Sequence, residues 1–433
     1  MLTKNVISSM AAMVFMLTCF SPSLHAQVIQ PFAPVDYTHD WQPFAPADLS
    51  DYGDGPDAKE GYFFRYERLY WSAAKPKATA LGLNDGEFYA FAGTTTVLRQ
   101  TNTVRTAVPD AGFGWGNRYE IGYMLDETGW FTSILGGYQQ DQSYFFGDGG
   151  TGAADGIDDV SIVFADPGDV MTGFLDRNAD GFDDDLNGNG IFGRSGEDTD
   201  ADGVPDAAAA IDLVDATTLP MLFDFVTVRS RVFMNGVEVN KSWRLDPHYR
   251  DAQAEVFAGI RFLSIRDRFN VHAIGATIDS PLSDMFWASQ VENNIIGPQI
   301  GFHWSKQTGR WKISTEGRAV AGVNFANAEL DGVIATNHVI AGANFGQLMS
   351  TTPFSHRRNF RTITPVGELR ANATYQLTDS IAFTGGWTGL YVGDISRGSQ
   401  MMNYVLPEPN IVSHNPTESF FANGFNFGID INR

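Results

Sequence analysis

The feature that most constrains the fold is a two-residue alternation of side-chain type that recurs from residue 61 to the C-terminus. Between residues 112 and 125, one parity carries mainly large aromatic and aliphatic residues, and the other carries mainly glycine and polar residues. Because successive side chains of a β-strand point to opposite faces, this pattern predicts strands with one apolar and one polar face. The pattern returns at 233–245, 296–323, 369–391 and 425–431.

The length and flanks of these segments favour a membrane barrel over a soluble sandwich. They run for ten to fourteen residues, longer than most strands of soluble proteins. Aromatic residues lie beside short turns, as they do at a membrane interface, at Trp130, Trp304, Trp311 and Tyr375. We therefore predict an all-β fold: a transmembrane antiparallel β-barrel over residues 61–433, with about 12 strands (range 10–14).

The polar parity carries charges of both signs within single strands, which suits a water-filled interior. We predict that the following residues line the lumen and set its charge preference: Arg244, Arg261, Arg310, Lys312, Glu316, Arg318, Glu368 and Arg370. A barrel of this size can leave a narrow aqueous lumen, but charged and aromatic side chains or a long loop can also close it.

The N-terminus is typical of an exported protein. Lys4 precedes an apolar run at residues 6–20, and small residues end at Ala26, so residues 1–26 are predicted to be a cleaved signal peptide. Cys19 is the only cysteine, which leaves the mature chain without a thiol for disulfides, metal binding or catalysis. Residues 27–60 are Pro-rich and acidic and contain a twelve-residue repeat twice, so we predict a linker.

The net charge of −22 is concentrated in two segments. Residues 141–212 contain eighteen Asp and Glu against two Arg, and residues 27–60 contain seven acids against one Lys. The remaining barrel region has 26 acids and 25 bases, so no part is basic enough to indicate nucleic-acid binding. We predict that residues 141–212 form a long acidic extracellular loop inserted in the barrel.

Within this insertion, Asp and Asn recur at the spacing of calcium-binding loops. Alternate oxygen-bearing side chains converge on one centre, and glycine permits the sharp turn around the ion. The predicted Ca²⁺ ligands are Asp198, Asp200, Asp202 and Asp206, then Asp176, Asn178, Asp180 and Asp184, then Asp185, Asn187 and Asn189. The loops lack the bidentate Glu of an EF-hand, which predicts weak or cooperative binding. A solvated acidic loop remains the alternative.

The chain carries no local signature of a common enzyme class. Neither H-E-x-x-H nor G-x-S-x-G occurs, and the histidines lack ligand spacing. The G-x-G-x-x-G at 188–193 lies in the acidic insertion, where phosphate would be repelled. We predict that the protein is not an enzyme.

Several short stretches resemble the beta-barrel porin family 7 of planctomycete bacteria. They are residues 69–71, 258–262, 293–301, 389–391 and 424–428, together with Arg397 and Gln400. The resemblance covers roughly residues 61–433 apart from the acidic insertion, and it implies an outer-membrane barrel with pore function. One departure concerns assembly: many such barrels end on an aromatic residue, whereas this chain ends with Asn432-Arg433.

Three functions remain open. The first is a porin-like passive channel for small polar solutes in the outer membrane of a diderm bacterium. The second is a structural or adhesive surface protein anchored by the barrel, and the third is a soluble secreted calcium-binding β-protein. The first two imply the lipid bilayer and the barrel-assembly machinery as partners, and none fixes the oligomeric state.

Overall fold

In a computed structural model of the protein, the described residues are 61–83, 85–92, 95–102, 104–105, 112–147, 160–165, 218–223, 225–245, 252–274, 284–334, 352–378, 380–405 and 409–432. The barrel strands are β1 (Gly61–Ala73), β4 (Gly114–Leu125), β5 (Thr128–Gly147), β8 (Phe225–Leu245), β9 (Ala252–Ile274), β10 (Asp284–Thr308), β11 (Trp311–Ile334), β12 (Thr352–Gln376), β13 (Ile381–Ile395) and β16 (Glu418–Asn432). Three small hairpins are β2 (Asp85–Ala92) with β3 (Thr95–Asn102), β6 (Val160–Ala165) with β7 (Thr218–Phe223), and β14 (Met402–Asn403) with β15 (Asn410–Ile411).

The ten long strands close into one antiparallel barrel, with the order β1-β16-β13-β12-β11-β10-β9-β8-β5-β4. This confirms the predicted fold class, at the lower end of the predicted strand number. The sequence suggested about 12 strands because we allowed about ten residues for each. Six of the strands, β5 and β8 to β12, instead contain 20 to 25 residues, so fewer strands account for the same chain length.

The two ends of the barrel differ in their connections. At the end that we call the turn end, strands are joined by short turns such as 126–127 and 309–310. Gly309 has a φ of 59°, a left-handed conformation that glycine adopts without steric cost. Phe63 and Asn432 pair at this end, so both termini of the barrel lie there. The longer connections lie at the opposite loop end, and residues 141–147 of the predicted insertion are part of β5.

The predicted alternation sets the two faces of the barrel wall. On β4, Trp115, Tyr119 and Ile121 are exposed on the outside, whereas Arg118 and Glu120 are buried inside. A soluble protein would cover such an apolar outer surface, whereas a bilayer solvates it. The soluble alternative therefore does not fit this surface. No helix among the described residues is long and apolar enough to cross a membrane.

The interior is layered along the barrel axis. Charged side chains gather towards the turn end, and apolar side chains fill the middle and the loop end. The middle cluster includes Leu69, Trp71, Val232, Leu263, Ile295, Val366 and Leu390, and the loop-end cluster includes Phe164, Phe223, Val271, Trp287, Leu330 and Tyr404. Most of the charged inner residues that the sequence predicted are thus concentrated in one part of the barrel height.

Candidate functional site: the charged interior of the barrel

The candidate site is a layer of nine charged side chains that point into the barrel towards the turn end. They come from six strands, and each residue is at most 9% exposed. The members of this interior charge network are Glu67, Arg118, Glu120, Glu238, Arg261, Glu316, Arg318, Glu368 and Arg370. Five carboxylates and four guanidinium groups leave the network with a formal charge near zero, which makes its burial tolerable.

Glu368 of β12 is the centre of this network. Its Oε1 accepts hydrogen bonds from Arg118 Nη2 at 2.9 Å and from Arg370 Nε at 2.6 Å, and its Oε2 accepts one from Arg261 Nη1 at 2.6 Å. Arg118 lies on β4 and Arg261 on β9, and neither strand is adjacent to β12. These bonds therefore cross the interior of the barrel, and the network obstructs the lumen at this level.

Arg318 and Arg370 share their acidic partners. Arg318 forms ion pairs with Glu238 and Glu316, and its Nη2 lies 3.5 Å from Glu120 Oε2. Arg370 Nη1 lies 3.8 Å from the same Glu120 oxygen and 3.6 Å from Glu316 Oε1. Each of these two guanidinium groups therefore has more than one acid within 4 Å.

A second set of ion pairs lies nearer the turn end. Arg65 Nε donates to Asp430 Oδ1 at 2.8 Å, and Arg65 Nη1 is 3.6 Å from Glu120. Glu255 lies 3.5 Å from Arg244 and 3.9 Å from His303. The interior between the network and the turn end therefore contains further ion pairs, beside the buried apolar side chains of Met124 and Phe257.

The structure brings together five of the eight residues predicted to line the lumen: Arg261, Glu316, Arg318, Glu368 and Arg370. The other three lie nearer the turn end. Arg244 pairs with Glu255, Arg310 is in the turn between β10 and β11, and Lys312 is half-buried at the start of β11. Whether any of them contacts a solute remains a prediction.

The predicted calcium ligands, all within residues 176–206, lie outside the described residues. In the part of the chain that the structure does describe, no group of three His, Cys, Asp or Glu side chains is arranged to hold a metal ion.

Four members of the network were absent from the predicted set: Glu67, Arg118, Glu120 and Glu238. The alternation already placed Arg118, Glu120 and Glu238 on the polar parity of their strands, so the signal was present in the sequence. Glu67 was harder to identify, because its parity on β1 also carries Leu69 and other apolar residues. Which polar residues meet across a barrel depends on register and shear, which alternation does not specify.

The connection between β13 and β16 closes the interior at a second level. Its described residues, 396–405 and 409–417, are called here the inward segment. Arg397 is 1% exposed, and it forms an ion pair with Asp267 of β9. Asn293 of β10 donates to Ser396 O at 2.9 Å and accepts from Ser396 N at 3.2 Å. The segment is therefore fixed to the inner wall by polar contacts.

The remainder of the inward segment packs against apolar side chains. Met401 contacts Val291 and Ala328. The ring of Tyr404 lies 5.8 Å from those of Trp287 and Phe164, and burial raises the pKa of the Tyr404 hydroxyl. The interior is thus filled between the charge network and the loop end. No alternation marks this segment in the sequence, and its position was not predicted.

A sequence model of the family described as Putative beta barrel porin-7 (BBP7) matches residues 170–432. No curated protein matches the chain. Among solved structures, the outer membrane protease OmpT from Escherichia coli is similar, with 9% identity, a TM-score of 0.40, and coverage of 88% of this chain and 98% of that chain. A Pseudomonas aeruginosa FadL homologue has 10% identity, a TM-score of 0.26, and coverage of 86% and 90%. The Ralstonia pickettii toluene transporter TbuX has 9% identity, a TM-score of 0.18, and coverage of 90% and 99%.

Proposed function

This chain belongs to the Putative beta barrel porin-7 family, and from that premise we propose that it is a narrow outer-membrane channel for small polar solutes. The observation that carries the proposal is the interior charge network. A barrel that served only as an anchor could fill this layer with apolar side chains, because burying ion pairs gives little or no net stability. Charged groups of both signs in the lumen are instead the lining that a path for polar solutes needs.

The proposed channel is closed in the described conformation. The bonds of Glu368 cross the lumen at one level, and the inward segment fills it at another. Opening therefore requires two changes: exchange of ion-pair partners in the network, and displacement of the inward segment. The shared partners of Arg318 and Arg370 support the first change. The ion pair of Arg397 with Asp267 supports the second, since hydration can replace an ion pair when the segment moves. The apolar contacts of Met401 and Tyr404 must break in the same step.

Planar-bilayer conductance tests this proposal. The wild-type chain should show rare, small steps, and a variant with residues 398–415 replaced by a short Gly-Ser linker should show frequent ones. Arg357→Gln is the matched control, because Arg357 lies on the outer surface and pairs with Glu329. The absence of steps from both the wild type and the linker variant, each folded and heat-modifiable, would rule out the channel.

A second function is favoured by the apolar filling of the interior. Two large clusters of buried apolar side chains occupy the barrel between the network and the loop end. A barrel with such a core can act as an anchor for a surface protein without conducting solutes. In that case the acidic segment would carry the function, and deleting residues 166–212 would abolish calcium-dependent cell aggregation while leaving the barrel assembled.

We also retain calcium as the proposed ligand of the acidic segment. The support is the spacing of Asp198, Asp200 and Asp202 before a glycine, repeated from Asp176. For the whole protein, we propose export through the predicted signal peptide and insertion by the barrel-assembly machinery. We also propose that the protein has no catalytic activity.

A further inference from the structure

A group of arginines lies on the outer surface of the barrel, away from the interior charge network. Arg229 and Arg231 of β8 and Arg266 and Arg268 of β9 all have the outward parity of their strands. The side chains of Arg229, Arg231 and Arg266 are 44%, 26% and 42% exposed. We call these four residues the outer arginine cluster.

The register of the two strands places like charges together. Arg231 lies directly opposite Arg268, and Arg266 lies opposite Phe233. Like charges that face each other across a sheet are destabilising when nothing lies between them. The guanidinium of Arg268 stands over the ring of Phe233, 5.9 Å from its centroid. The two strands therefore present a cationic surface around one aromatic ring.

The acids nearby do not balance this charge. Asp141 binds both Arg229, at 2.9 Å, and Arg231, at 3.2 Å. Glu292 lies 3.3 Å from Arg266. Arg268 donates to the neutral side chain of Gln290, and no described carboxylate pairs with it. Four guanidinium groups thus share two carboxylates, which leaves two positive charges for an external anion.

The cluster lies just beyond the apolar outer band, on the loop side. Towards the turn end, the outward residues of β8 and β9 are apolar and exposed: Val237, Val239, Ile260 and Phe262. With a rise of about 3.3 Å per residue and a tilt of about 45°, Arg266 stands roughly 10 Å beyond Phe262 along the barrel axis. Short turns of such barrels face the periplasm, so this height corresponds to the headgroups of the outer leaflet.

We propose that the outer arginine cluster binds the phosphate groups of an anionic lipid of the outer leaflet. Guanidinium groups bind phosphate oxygens in pairs, with strong charge-assisted hydrogen bonds. A phosphate between Arg231 and Arg268 removes their repulsion. The acyl chains of the same lipid then lie along the apolar residues beneath, which a free phosphate cannot contact. The occupant is therefore a membrane lipid.

The test measures the unfolding temperature of the full chain in zwitterionic micelles, detected as the change in gel migration that heating causes. The measurement is made with and without lipid A, a glycolipid that carries two phosphate groups. Lipid A should raise the midpoint of the wild type. The Arg231→Gln/Arg268→Gln variant should lose that rise, and Arg357→Gln, an outward arginine paired with Glu329, should keep it.

Two further probes identify the chemistry recognised. Dephosphorylated lipid A and inorganic phosphate should each fail to raise the wild-type midpoint. An equal rise with either of them, or a full rise in the double variant, would overturn the proposal. If the double variant does not fold, the salt dependence of the wild type replaces it as the test. The increase in the wild-type unfolding midpoint that lipid A causes must become smaller as the salt concentration increases. An increase that salt leaves unchanged contradicts a contact between phosphate and arginine.

Discussion

Arg397 and Asp267 are 130 residues apart in sequence, and they form an ion pair inside the barrel with both side chains 1% exposed. Arg397 lies in the inward segment, and Asp267 lies on the inner face of β9. Arg397 Nη1 is also 3.4 Å from Glu418, at the start of β16. The pair thus connects a loop to the barrel wall, at the level where the loop closes the interior.

Asp267→Asn should release the inward segment. The amide has almost the same size as the carboxylate, but it leaves the Arg397 charge buried with only Glu418 nearby. Breaking one side of a buried ion pair costs about 3–5 kcal/mol. Limited proteolysis should therefore cut residues 396–417 in the variant while the barrel remains heat-modifiable. Adding Arg397→Gln removes the unpaired charge and should restore part of the protection; equal cleavage in wild type and Asp267→Asn would contradict this role.

Glu368→Gln should destabilise the barrel strongly. The carboxylate accepts hydrogen bonds from Arg118, Arg261 and Arg370, and an amide replaces these three charge-assisted bonds with weaker ones in a buried layer. We expect a loss of roughly 3–5 kcal/mol in the free energy of unfolding. Urea unfolding in micelles measures it, with Glu329→Gln as the control.

Glu329 also pairs with an arginine, Arg357, but on the exposed outer surface. Its substitution should cost at most about 1 kcal/mol. Similar losses for Glu329→Gln and Glu368→Gln would mean that the interior is hydrated enough to screen the network. That result would itself favour an open lumen.

The alternation in the sequence specified the fold class and the orientation of most side chains. It placed Trp115 outside and Arg118 inside, because parity alone decides the face of a strand. It did not specify that Arg118 meets Glu368, since that contact depends on how ten strands close with a particular shear. Nor did it indicate the position of Arg397, because an irregular segment that packs by tertiary contacts has no periodicity to detect.

Val239→Lys should show that the outer band lies in lipid. Val239 faces outward on β8 and is 48% exposed, with apolar residues around it. A lysine within the bilayer costs about 2–4 kcal/mol near the midplane, and little or nothing beyond the interface. Ser355→Lys is the control, since Ser355 is exposed beyond the apolar band on β12. Unfolding in lipid vesicles should separate the two variants, and equal stabilities would place Val239 in water.

Calcium should bind the full chain through the acidic segment, with weak affinity. The loop beginning at Asp198 supplies carboxylates at alternate positions but no bidentate Glu, which resembles extracellular calcium modules with dissociation constants of roughly 10⁻⁴–10⁻³ M. Isothermal titration of the chain in micelles should show heat that the Asp198→Asn/Asp200→Asn/Asp202→Asn variant reduces.

The matched control for this titration removes three carboxylates from the linker instead: Asp48→Asn/Asp51→Asn/Asp54→Asn. Both triple variants change the net charge by the same amount, so a general attraction of cations to an acidic chain would weaken equally in the two. A specific loop loses its heat only when its own ligands are replaced, because the ion needs several oxygens at one centre. Equal titrations for the two variants would therefore leave the segment as a solvated acidic loop without a calcium site.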